Sequence, residues 1–68
     1  MATKMYEIEF SADTQGQAND LLRQATDQVL YASEGGQLGW VYTGPAKYVF
    51  ALRDLLAGRQ IEHSVSGR

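Results

Sequence analysis

The sequence of 68 residues has no cysteine and only one histidine, and both scarcities exclude kinds of chemistry. Without cysteine there is no disulfide bond, no thiolate metal ligand and no thiol nucleophile. One histidine among scattered carboxylates lacks the spacing of metal sites, so we expect no bound metal and no cofactor. His63 falls on the apolar side of a predicted strand, and no serine stands in a nucleophile motif. The protein is therefore predicted not to be an enzyme.

Long apolar runs and strong charge are also absent. The N-terminal segment 1–10 carries Glu7 and Glu9 inside its apolar stretch, which is unlike a signal peptide, and no run approaches the length of a membrane span. We therefore expect a cytoplasmic protein without membrane contact. Six basic residues against eight acidic ones give a net charge of −2. That balance, with an isoelectric point near 5.1, argues against direct nucleic-acid binding.

The length of the chain predicts one domain, residues 1–68, with one hydrophobic core. A chain this short buries only about 60% of the surface that it exposes when unfolded. We expect a second subunit to cover more of that surface. The prediction is a homo-oligomer, with a homodimer as its simplest form.

Hydrophobic spacing predicts strands at both ends of the chain and helices between them. Apolar and polar residues alternate over 4–10 and over 60–66, as in strands with one buried face. A stripe with helical spacing begins near Thr14. A second helix is predicted to start at Pro45 and to be capped by Gly58.

The middle of the chain allows two interpretations. The preferred one is a hairpin with strands at 28–34 and 37–43, joined by a two-residue turn at Gly35 and Gly36. In that register Tyr31 lies opposite Trp40. The alternative is a long first helix over residues 14–33, because the apolar stripe continues into this segment.

The preferred element order is β-α-β-β-α-β, a two-layer ferredoxin-like α+β fold with two helices on one face of a four-stranded antiparallel sheet. Its usual strand order is 4-1-3-2. The long-helix alternative gives β-α-β-α-β with three strands. By alternation Trp40 and Tyr42 fall on the face that the helices cover, so they are not expected to stack on bases.

Two groups of residues are candidate protein-binding surfaces. Glu7, Glu9 and Glu62 fall on the open face of the sheet, where they would form an acidic patch for a basic partner. On the second helix, Phe50 points away from the apolar stripe, beside Ala46 and with Arg53 at its rim. An uncovered phenylalanine in that place predicts contact with another chain.

These features predict a small non-enzymatic protein-interaction module that docks on a partner protein. One alternative is an inhibitor, from a virus or mobile element, of a host nucleic-acid-binding protein, because the chain is small and acidic. A second alternative is a regulatory domain for a small ligand. It would bind an anion at the start of the second helix, through Gly44 and Lys47.

Overall fold

The fold is a four-stranded antiparallel sheet with two helices, seen in a computed structural model that describes residues 4–67. The strands pair in the order β2-β3-β1-β4. This confirms the predicted α+β class and a two-layer ferredoxin-like arrangement. In chain order the elements are β1 (Met5–Phe10), α1 (Gln15–Thr26), β2 (Ser33–Gly35), β3 (Gly39–Pro45), α2 (Ala46–Gly58) and β4 (His63–Gly67).

The core lies between the helices and one face of the sheet. Alternation along β1 turns Ile8 and Phe10 toward the helices, and both are fully buried. Tyr42 on β3 lies directly opposite Ile8 and is also buried. The helices contribute buried residues at helical spacing: Ala18, Leu21 and Leu22 from α1, and Val49, Leu52 and Leu56 from α2.

Helix α1 begins on a side-chain hydrogen bond and ends in a left-handed residue. Its N-cap is Thr14, whose hydroxyl accepts a hydrogen bond from the Gln17 amide at 3.1 Å. It ends at Asp27, which takes the left-handed conformation with φ of 58°. Aspartate tolerates that conformation better than most residues. The predicted long helix over 14–33 is therefore wrong.

The end of the segment between α1 and β2 is hydrogen-bonded to α1 and not to the sheet. The Ala32 amide donates to the Asn19 side-chain oxygen at 2.8 Å, and the Gln15 side chain donates to the Ala32 carbonyl at 3.2 Å. These bonds occupy the backbone groups that would have extended the strand. The predicted strand over 28–34 is thus reduced to β2, Ser33–Gly35.

The hairpin between β2 and β3 has a different register from the predicted one. Gly35 pairs with Gly39, so residues 36–38 form a three-residue loop in place of the two-residue turn. Glu34, and not Tyr31, lies opposite Trp40. The shift leaves Tyr31 outside the sheet, where it is 65% exposed.

Helix α2 follows β3 without an intervening loop. Strand β3 continues through Gly44 to Pro45, which is the N-cap of α2 and not its first helical residue. Gly58 is the last helical residue and Arg59 is the C-cap, one position later than predicted. Within residues 4–67 there is no helix of the length and apolarity needed to cross a membrane.

Candidate functional site

A groove of about 480 Å³ lies on the open side of the sheet, where β1, β3 and β2 meet. Strand pairing explains its floor, because directly opposed residues share a face. Glu7 lies opposite Thr43, and Glu9 lies opposite Val41. The groove is completed by residues from β2 and the loops around it: Tyr31, Ser33, Glu34 and Gly36.

The carboxylate of Glu9 is fixed against the β2–β3 loop. Its Oε2 atom accepts a hydrogen bond from the Gln37 amide at 3.2 Å. Gly36 makes room for it, because a Cβ atom at that position would lie 2.6 Å from the Glu9 carboxyl carbon. Gly36 also has φ of 70°, which favours glycine. The loop and the carboxylate therefore fix each other's positions.

The groove is acidic and carries an exposed aromatic ring. Every charged residue among those that line it is a glutamate. Glu7 and Glu9 present their side chains on the open face, whereas Glu34 borders the groove at the sheet edge but is paired with Trp40, whose face the helices cover. Tyr31 beside them is 65% exposed. Carboxylates together with an aromatic face suit a lysine or arginine side chain, through charge attraction and cation–π contact.

Tyr31 and Glu34 were not among the residues that the sequence singled out. The predicted hairpin register placed Tyr31 opposite Trp40, and neither residue was expected to border a groove with Glu7 and Glu9. The observed placement accompanies the anchoring of Ala32 on α1 by Asn19 and Gln15, which lie far away in sequence.

Glu62 does not join Glu7 and Glu9 in the groove. Its backbone carbonyl accepts from the Ser11 amide at 3.2 Å, beyond the end of β4. Its side chain is exposed and lines a separate hollow of about 360 Å³ with residues that precede and begin α1. The predicted acidic patch is therefore divided between two places.

Phe50 is not on a bare outer face, as the helical spacing suggested. It is half-buried and packs against the core, with its ring centroid 5.0 Å from that of Tyr6 on β1. The Arg53 guanidinium lies 4.7 Å above the Phe50 ring and also pairs with Asp54 at 3.1 Å. Ala46, which was expected beside Phe50, is half-buried at the start of α2.

The two residues of the predicted anion site, Gly44 and Lys47, do not come together at the start of α2. Gly44 is buried inside β3, opposite Tyr6, and does not belong to the helix terminus. Lys47 is exposed, and its ammonium lies 5.0 Å from the centre of the Tyr48 ring. Lys47 and Tyr48 line a shallow hollow of about 490 Å³ with Pro45 and Ala46.

The other polar and aromatic candidates are held in place by the fold. His63 is half-buried, and its Nδ1 donates to the Ile61 carbonyl at 2.8 Å. Trp40 donates from its indole to the Ala12 carbonyl at 3.1 Å. Burial raises the pKa of the Tyr42 hydroxyl, and the nearby Tyr48 raises it further. In the part of the chain that the structure describes, no group of histidines and carboxylates is arranged to hold a metal ion.

The chain was compared with models of protein families, with curated proteins and with solved structures, and none of the three comparisons finds a match. The groove and the surface hollows are therefore the features that bear on its function.

Proposed function

We propose that this protein is a small, non-enzymatic protein-interaction module whose groove binds a lysine- or arginine-bearing segment of a partner protein. The observation that carries the proposal is the composition of the groove. Two glutamates of β1, Glu7 and Glu9, and an exposed tyrosine line one space of about 480 Å³. A basic side chain entering it would meet the carboxylates on β1 and the ring of Tyr31.

The arrangement favours a peptide segment over a flat surface. The groove is concave, and its floor is made of side chains from β1 and β3, so a side chain must project into it. The Glu9 carboxylate is held by the loop amide and loses little freedom when a ligand binds. The site therefore resembles a preformed receptor for one or two cationic side chains.

The test is an NMR titration with a short peptide that carries several lysines, against a matched peptide with glutamine in their place. The lysine peptide is expected to shift the amide signals of the groove residues and to lose affinity at high salt. The glutamine peptide is expected to leave the spectrum unchanged. Equal shifts from both peptides would contradict the proposal.

Two substitutions locate the binding within the molecule. Glu7→Gln removes a groove charge and should weaken binding about 2- to 5-fold, as expected for one charge pair at the surface. Tyr31→Ala should weaken it about 2- to 5-fold through loss of the cation–π contact. The matched control is Glu62→Gln, which changes the net charge equally but lies outside the groove. If Glu62→Gln weakens binding as much as Glu7→Gln, the attraction is not located in the groove.

A further inference from the structure

The two edges of the sheet differ in how they are protected against pairing with another strand. At one edge β2 is three residues long and carries Glu34. At the other edge β4 is five residues long, His63–Gly67, with neither proline nor any lysine, arginine, aspartate or glutamate. Short length and charge are the usual ways in which an edge strand avoids association, and β4 has neither.

The hydrogen-bonding pattern between β4 and β1 determines which amide and carbonyl groups of β4 point away from the sheet. The Ser11 amide donates to the Glu62 carbonyl, so Glu62 directs its backbone toward β1. In an antiparallel ladder this direction alternates, and Ser64 and Ser66 also face β1. The residues whose amide and carbonyl groups point away from the sheet are His63, Val65 and Gly67.

We propose that β4 pairs in antiparallel fashion with β4 of a second copy of this chain, with Val65 of each copy opposite the other. In this register His63 lies opposite Gly67 of the second copy, so all three outward-facing residues of β4 exchange hydrogen bonds. Ser64 then lies opposite Ser66 of the second copy. The two sheets become one continuous sheet around a two-fold axis.

The strand is self-complementary, which favours a second copy as the occupant. Val65 stands at the middle of β4, and no charged pair is brought face to face by the pairing. The side chains opposed on the open face are small hydroxyls. A foreign strand would gain the same backbone bonds, but nothing on β4 selects its sequence.

Helix α2 adds apolar surface beside the joined strands. It contacts β4 and lies over this side of the sheet. Tyr6 reaches β4, because a Cβ atom at Gly67 would lie 3.7 Å from its ring, and Tyr6 also contacts Phe50 of α2. Helix α2 contacts β3 and β1 as well as β4, so its axis lies near β1. With strands about 4.8 Å apart, the two α2 axes come about 14 Å from each other in the dimer, farther than the roughly 8–10 Å of packed helices, so that long side chains and not the helix backbones approach each other.

The surface area that a stable dimer must bury suggests that Phe50 and Arg53 belong to the same interface. A stable interface buries about 1,200–2,000 Å² in total, and a five-residue ladder supplies only part of it. The side chains nearest to the second copy beyond the strands are those on the flank of α2, and Phe50 and Arg53 are the ones that can reach across to supply the remainder. The acidic groove lies at the β1–β3–β2 side of the sheet and stays open in this dimer. The dimer and the proposed function can therefore be tested independently of each other.

Charge substitutions on β4 test the pairing and its register. The variant Ser64→Lys/Ser66→Lys places two like-charge pairs across the proposed interface, while within one chain the lysines lie opposite Glu9 and Glu7. The monomer should therefore stay folded. The variant Ser64→Glu/Ser66→Glu repels its own copies in the same way, and its new carboxylates also lie opposite Glu9 and Glu7 of their own chain, so some loss of monomer stability is expected. Circular dichroism checks the fold of both variants.

The readout is the molar mass from sedimentation equilibrium between micromolar and millimolar concentration. The wild-type chain is expected to double its mass as concentration rises, and each variant alone to stay monomeric. An equimolar mixture of the two variants should restore the dimer, because each introduced lysine then faces an introduced glutamate of the other chain. A monomeric wild type, a dimeric lysine variant or a mixture that does not associate would each overturn the proposal.

Amide hydrogen exchange gives a second readout that does not depend on substitution. In the monomer the Ser64 amide is bonded to β1 and the Val65 amide faces solvent. Dimer formation should slow exchange at Val65 with rising concentration and leave Ser64 nearly unchanged. Exchange at Val65 that is independent of concentration would contradict the pairing.

Discussion

Replacing Gly44 by alanine probes the tight packing of β3 against the ring of Tyr42. A Cβ atom at this position would lie 2.6 Å from Cζ and 2.8 Å from Cε2 of Tyr42, with the hydroxyl nearer still. Tyr42 is only 7% exposed, and its ring belongs to the core, so it has little room to move. Forcing an extra methyl group into such packing costs about 1–3 kcal/mol.

The net effect is smaller than the packing cost, because alanine restricts the unfolded chain and regains about 0.4–1 kcal/mol. We expect Gly44→Ala to lower the free energy of unfolding by about 1–2 kcal/mol, measured by urea denaturation followed by circular dichroism. In a chain of this size that corresponds to a melting temperature lower by about 4–16 °C.

Two controls separate packing against Tyr42 from a general intolerance of alanine in the sheet. Gly35→Ala places its Cβ 3.8 Å from a Val41 methyl group, an ordinary contact, and should change stability by less than about 0.5 kcal/mol. In a Tyr42→Leu background, Gly44→Ala should lose most of its cost. An equal loss in both backgrounds, or none in the wild type, would refute the reasoning.

Two further predictions concern the hairpin loop and the buried tyrosine. Gly36→Ala should lower stability by about 1–2 kcal/mol in thermal denaturation, because Gly36 has φ of 70° and a Cβ atom there displaces the Glu9 carboxylate. Gly36→Asn shares the contact with Glu9 but tolerates the left-handed backbone, so it should cost less; equal losses would count against a backbone origin. Burial holds the pKa of Tyr42 above its ordinary value of 10.0, so the folded state keeps this proton longer than the unfolded state does. Its stabilising contribution is complete below pH 10.0 and is lost as pH rises through the raised pKa. Tyr42→Phe should therefore flatten the fall of the urea midpoint at alkaline pH, and an unchanged slope would contradict the assignment.

The order of elements and the faces of β1, β3 and β4 could be predicted from the sequence, because alternation records which side of a strand is buried; the face of β2 could not, since its register with β3 differs from the predicted one. Ile8, Phe10 and Tyr42 are buried as the pattern required. The strand order followed from the fold class that this element order defines.

The segment before β2 could not be predicted in the same way. Val29 and Tyr31 resemble strand residues, yet they are 68% and 65% exposed. The deciding contacts are the hydrogen bonds of Asn19 and Gln15 to Ala32, which join residues 13 and 17 positions apart. Local periodicity does not report such long-range polar contacts.

The candidate site was predicted only in part, because it too depends on the segment before β2. Glu7 and Glu9 could be placed on the open face by alternation, but Tyr31 was expected opposite Trp40 on the helix-covered face and borders the groove only in the observed structure. The exposure of Phe50 was mispredicted for another reason. A helical wheel describes the faces of one helix alone. The wheel takes no account of the long Tyr6 side chain that reaches Phe50 from the sheet.

The most direct measurement of the central claim is the set of intermolecular nuclear Overhauser effects between the lysine peptide and the protein. We expect contacts from the lysine side-chain methylene protons to the Tyr31 ring and to the methyl groups of Val41 in the groove. Contacts confined to other surfaces, or none under conditions where the peptide is bound, would contradict it.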